Sequence, residues 1–166
     1  EPIGAFLDDL AALVLAYIKL FLLTSDSNYK EKADKLMQLI CDDFAHPELA
    51  LYQYRSKKAD YLIAEKVEVM DSVMPSSNSM LCEAFLWMGV LKNKADFTLM
   101  GRAMLSQILE RAMAHPAYFA NWLRIYSEWI EHPKAILKHA GKAEGLENFD
   151  WCIDKQQMLC IPSDEI

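Results

Sequence analysis

Two short stretches hold the side chains best suited to chemistry. FLDD, residues 6–9, puts Asp8 and Asp9 directly before a long apolar run. PSSNS, residues 75–79, puts a Pro, three Ser and Asn78 before another, with Glu83 four residues further on. Paired carboxylates beside amide and hydroxyl groups suit hydroxyl-rich ligands and would serve acid/base chemistry on a sugar. Tyr52 and Arg55, from the aromatic-rich segment between the two stretches, would join Asp8, Asp9, Asn78 and Glu83 if both runs begin at one end of the molecule. Each group also has a structural use. Asp8 and Asp9 stabilise a first helical turn through the helix dipole, and a carboxylate at Glu83, near a helix start, does the same. Asn78 or Ser79 would cap a helix, with Pro75 fixing the entry and Ser76 and Ser77 filling a turn. The strict capping box fails, because Cys82 rather than Glu stands three residues after Ser79.

The other reactive side chains point elsewhere. His46, His115, His132 and His139 sit near element ends beside Pro or Ala, as capping or solvated residues do. Cys41 and Cys82 fall inside expected helices as small buried hydrophobes. Cys152 and Cys160 do not have zinc-ribbon or redox spacing. No Ser-His-Asp set, phosphate-binding Gly loop or metal motif is visible, and no cofactor is expected. Trp122, Tyr126 and Trp129 recur at core spacing, with a sugar-stacking platform as the alternative.

These residues are carried by helices. The chain has 166 residues, 53% hydrophobic and 25% charged, with few Gly and Pro, as for one globular unit. A net charge of -7 without a Lys/Arg cluster argues against nucleic-acid binding. The most apolar run, LAALVLAYIKLFLL at residues 10–23, contains Lys19 and is shorter than the roughly 20 residues of a membrane span, so a core helix and no membrane partner are expected. Free thiols and the absence of a secretory signal point to the cytoplasm. Opening on Glu-Pro-Ile-Gly rather than Met, the chain reads as a processed product or a piece of a longer one. Periodicity predicts helices over residues 6–24, 28–45, 79–92, 95–115 and 116–131, a small β-hairpin over 49–69, and a strand in AILKHAG. The second helix has one stripe of Tyr29, Ala33, Leu36, Met37, Ile40 and Phe44. The fourth repeats Phe97, Met100, Met104, Ile108 and Ala112, with Gly101 permitting close packing. The first, third and fifth are apolar on nearly every side and must be covered on every side. That alternation is what inner and outer layers of helical hairpins produce, with a plain bundle or a solenoid as the other solutions.

Three segments carry a resemblance: GAFLDDLAALVLAYIKLFLLTSDSNYKEKADKL, EVMDSVMPSSNSMLCEAF and YFANWLRIYSEWIEHPKAILKHAGKA. In this order they resemble the C-terminal part of YyaL-type thioredoxin-domain proteins, the family that includes spermatogenesis-associated protein twenty. The resemblance covers residues 4–142. Leu10 and Met70 stand where that family usually has Tyr, and Ser77 where Gly is common. The family implies a thioredoxin-like domain followed by an (α/α)6 toroid similar to N-acylglucosamine 2-epimerase and six-hairpin glycosidases. The expected fold is therefore all-α: helical hairpins of an incomplete (α/α) toroid over residues 1–142, with a β-hairpin insertion, then a tail over 143–166 that is irregular or short β. The expected role is part of a carbohydrate-active domain, epimerase- or glycosidase-like, with a sugar-like small molecule as ligand. The alternative is a scaffold accompanying a thioredoxin-like module. Five helices fall short of six hairpins, so Leu20, Phe21, Trp122 and Trp129 are expected to lie uncovered until the rest of a longer chain or a second copy closes the core.

Overall fold

Helix α1, Leu7–Thr24, buries Leu7, Leu10, Ala11, Val14, Ile18 and Phe21, an apolar row at spacings of three and four. The computed structural model describes residues 5–58, 66–131, 136–140 and 159–163. Ser25 ends α1 in the left-handed region (φ 57°), its N–H bonding to Phe21 O at 2.8 Å. Asp26 then caps α2, Ser27–Phe44, by accepting from Asn28 N at 2.9 Å. Helix α2 buries Ala33, Met37, Ile40 and Phe44, its predicted stripe, and packs against α1 as a hairpin.

Helix α3, Ser77–Leu91, is the centre of the molecule: every residue in it except Val90 is buried. It lies between α1 and α4, Ala95–Ala114, and also meets the shorter α5, Ala120–Tyr126. A Cβ on Gly101 would stand 2.9 Å from the Leu86 side chain, and one on Gly89 would stand 2.9 Å from the backbone N of Thr98. The two glycines therefore set how closely α3 and α4 approach. A 3-10 turn, Pro116–Tyr118, precedes α5, and a π-helical turn, Ser127–Glu131, extends it. Strands β1, Ile136–Ala140, and β2, Leu159–Ser163, pair in parallel. Among the described residues no helix is long and apolar enough to cross a membrane.

The fold is predominantly helical, and three expectations need correction. The helix predicted over 116–131 is three short turns, because Pro116 enters through a 3-10 turn and Phe119 leaves helical geometry (φ -139°). The described part of 49–69 contains no strand; residues 59–65, the middle of the expected β-hairpin, lie outside it, and Tyr54 N donates to Lys66 O (2.8 Å) between the two flanking parts. The segment has one antiparallel bridge, Ala45 with Tyr52, and the backbone of Tyr52 pairs with a side chain instead of a strand. Helix α3 alone is covered all round: α1 exposes Leu13, Leu20 and Leu23 (41, 37 and 82%). Finally, Phe21 and Trp122 are fully buried rather than uncovered, and Trp129 is half-buried edge-on to Trp87 at 5.0 Å. Lys19, within the apolar run of α1, lies 5.1 Å over the same Trp87 ring.

Candidate functional site

Helices α1 and α3 begin at the same end of the molecule, with an irregular segment, residues 66–76, between their starts. An irregular backbone needs partners for its polar groups. Here the helices supply them. Trp122 Nε1 donates to Val69 O (2.8 Å), Ser76 Oγ donates to the same oxygen (3.2 Å), and Asp71 N donates to Tyr118 O (2.8 Å).

Asp71 is the hub of this end. Its Oδ1 accepts from Ser76 N (2.8 Å) and Ser79 Oγ (3.0 Å), and its Oδ2 accepts from Asn121 N (2.8 Å). One buried carboxylate thus binds free N–H groups at the starts of both α3 and α5, where the helix ends carry positive partial charge. Asn121 Nδ2 closes the ring by donating to Ser79 Oγ at 2.9 Å. The cap of α3 is Ser76, which accepts from Ser79 N at 3.3 Å, and not Asn78 or Ser79.

Asn78 has a different use. Its Oδ1 accepts from Tyr52 N (2.8 Å), and its Nδ2 donates to Tyr52 O and Glu68 O (2.9 Å each). The side chain imitates a neighbouring strand, and its full burial keeps it from a ligand. Tyr52 is buried, its ring 5.5 Å from that of Phe85 and its hydroxyl 3.9 Å from Cys41 Sγ. Burial, and then the neighbouring Cys41, push this hydroxyl far up from its usual range. Glu83 is ion-paired with Arg124 of α5, which also reaches Glu128 (2.9 Å) and Asn121 (3.1 Å). Arg55 lies exposed with its guanidinium 5.3 Å over the Phe6 ring. Asp9 accepts weakly from Phe6 N (3.5 Å) in the first turn of α1. His46 acts as a cap, Nδ1 accepting from Glu48 N and Leu49 N (3.1 Å each). His132 and Cys152 lie outside the described residues.

Asp8 remains, and it opens on a cavity of about 300 Å³ between the starts of α1 and α3. Glu68, from the irregular segment, is the second carboxylate in its lining. Met70, Met74 and Met80 form much of the apolar wall, and Ser76 contributes beside them. Asp8 Oδ2 accepts from the Tyr54 hydroxyl (2.9 Å) and Oδ1 from Asp9 N (3.0 Å). Glu68 Oε2 accepts from Ser77 N (3.2 Å), and Oε1 pairs with Lys66 Nζ at 3.2 Å. Burial, then the bond to Asp8, push the Tyr54 hydroxyl up to about 12, so it is a proton donor at neutral pH. Of the six residues expected at a site, Asp8 therefore lines a cavity. Asn78, Tyr52 and Glu83 are held by internal bonds, and Asp9 and Arg55 lie on the surface beside Phe6.

Sequence reasoning missed Glu68, Tyr54 and Asp71. Asp71 had a signal: it stands five residues before Ser76, within reach of the helix start it serves. Glu68 and Tyr54 had none, since only the path of residues 52–54 and 66–70 brings them to Asp8. No cluster of His, Cys, Asp and Glu able to hold a metal occurs among the described residues. No family model and no curated protein matches this chain.

Proposed function

We propose that this chain contributes hairpins to a helical toroid of the YyaL-type family, as the resemblance implies, and that the cavity between α1 and α3 binds a small hydroxyl-rich molecule. The observation that carries the ligand reading is that Asp8 and Glu68 line one cavity of about 300 Å³ at the end where both helices start. That volume is at the small end of ligand pockets and suits a single ring. Carboxylates accept hydrogen bonds from ring hydroxyls, and a pair of them is what acid/base chemistry on a sugar would use. Saturation-transfer NMR with a panel of neutral and amino monosaccharides tests the reading, with Asp8→Asn and Glu68→Gln as variants. Transfer that both variants weaken is expected; no transfer from any member of the panel would refute it.

The scaffold reading has one specific observation in its favour. Asn78, Tyr52 and Glu83, three of the six residues first considered for a site, bond to the chain itself. On that reading the same panel leaves every resonance and the melting temperature unmoved, and the role is to support a thioredoxin-like module. Analytical ultracentrifugation of the 166-residue chain checks the expected association: a monodisperse monomer with cooperative unfolding would exclude a second copy as the partner.

A further inference from the structure

The cavity between α1 and α3 is chemically one-sided. The ionisable side chains lining it, Asp8 and Glu68, are both acidic, and no Lys or Arg lines it among the described residues. Two hydroxyls also line it: that of Ser76 donates to Val69 O and accepts from Ser79 N, and Ser72 stands at the exposed edge. Met70, Met74 and Met80 supply thioether and methylene to the lining, Met80 buried and Met70 and Met74 at its exposed edge. The two carboxylates are not equivalent. Glu68 has a cation beside it, Lys66 Nζ at 3.2 Å, whereas the partners of Asp8 are neutral: the Tyr54 hydroxyl and the Asp9 N–H. Among the described residues no cation pairs with Asp8, a half-buried carboxylate on a cavity wall.

A sugar hydroxyl both donates and accepts, and it brings no charge to offset the desolvation of a carboxylate. An ammonium group only donates, and its bonds to a carboxylate are of the stronger, charge-assisted kind. Thioethers are polarisable and adapt to an irregular aliphatic surface. We infer that the cavity selects a small molecule with a primary ammonium group on a compact aliphatic or sugar body. Asp8 anchors the ammonium, Tyr54 holds Asp8 in place, and Met70, Met74 and Met80 cover the body. This rests on the reading that the cavity is a ligand site, and it narrows the ligand from hydroxyl-rich to amine-bearing.

The test titrates the whole chain, carbon-13 labelled at the Met methyls, with glucosamine, glucose, N-acetylglucosamine and n-propylamine. Glucosamine should bind at least about tenfold more tightly than glucose or N-acetylglucosamine, the value of one charge-assisted hydrogen bond. Its resonance shifts should fall on Met70, Met74 and Met80. Asp8→Asn can still accept from Tyr54 and gives up only the bond from the exposed Asp9 N–H; an unchanged circular dichroism spectrum checks that the fold is kept. This variant should erase the preference, whereas Asp42→Asn, on the exposed face of α2, should leave it intact and so exclude general attraction of amines to an acidic protein. Binding of n-propylamine at the same methyls would support an alkyl amine as ligand, and its failure beside glucosamine would support an amino sugar. Glucose bound as tightly as glucosamine would leave the site standing and overturn the amine inference. No binding by any probe would overturn the site itself. A preference that survives Asp8→Asn, or that moves no Met methyl in the cavity, would also overturn the inference.

Discussion

Replacing Asp71 by Ala removes the acceptor for two backbone N–H groups, those of Ser76 and Asn121, at the starts of α3 and α5. Ser79 Oγ loses less, since it can donate to Ser76 O at 3.0 Å instead. A hydrogen bond to a charged group contributes about 1.5–3 kcal/mol, so two orphaned donors should cost about 3–6 kcal/mol. For a chain of this size that is a fall in melting temperature of roughly 6–24 °C. Asp71→Asn is isosteric but has one acceptor oxygen for two opposed N–H groups, so it should cost about half as much. Guanidinium denaturation followed by circular dichroism and by Trp fluorescence measures both variants. The midpoint should fall with the slope unchanged, since the same surface is exposed on unfolding. Trp122 sits at the affected end, bonded to Val69 O, so its fluorescence should report the loss directly. The reasoning fails if Asp71→Ala stays within about 1 kcal/mol of the parent, or if Asn costs as much as Ala.

Asn78→Asp keeps the bond from Tyr52 N but sets a carboxylate against Tyr52 O and Glu68 O; a loss of about 2–4 kcal/mol is expected by denaturation. Gly89→Ala should destabilise more than Gly101→Ala, because its Cβ would stand 2.9 Å from the Thr98 backbone N, whereas the nearest backbone atom to Gly101, Cys82 O, is at 3.3 Å; thermal melts should show about 1–3 kcal/mol for the first. Ser77→Ala should raise stability by about 1 kcal/mol or more, since Ser77 Oγ is buried without a partner among the described residues; a loss would mean that it has one. The Tyr54 hydroxyl is raised to about 12 from its usual 10.0, chiefly by burial and then by the bond to Asp8, so the unfolded chain releases this proton first. Its contribution is complete below pH 10 and is lost as pH rises through about 12. Titration of tyrosinate absorbance in parent and Tyr54→Phe should show that part of the alkaline slope disappear.

What could be read along the chain was whatever depends on near neighbours. The stripe of α2 (Ala33, Met37, Ile40, Phe44) and that of α4 (Phe97, Met104, Ile108, Ala112) follow from the helical period. So do the stop at Ser25, the close approach at Gly101 and a helix start in PSSNS. The covering of α3 was legible for the same reason, since Leu81, Phe85, Leu86, Trp87 and Met88 leave no polar side to face water. The same reasoning failed on α1, whose Leu13, Leu20 and Leu23 are as apolar as its buried row yet exposed: hydrophobicity demands a cover but cannot supply one. The polar residues were the least legible. Asn78 and Asp71 both stand at the mouth of α3, and either could have faced solvent. Asn78 is held by Tyr52, 26 residues earlier, and Asp71 by Asn121, 50 residues later. Asp8 keeps its place on the cavity because Tyr54, 46 residues away, bonds it there. A hydrogen bond is directional and acts over about 3 Å, so which polar group is satisfied inside and which is left for a ligand depends on the path of distant backbone. Only the tertiary structure settles that path.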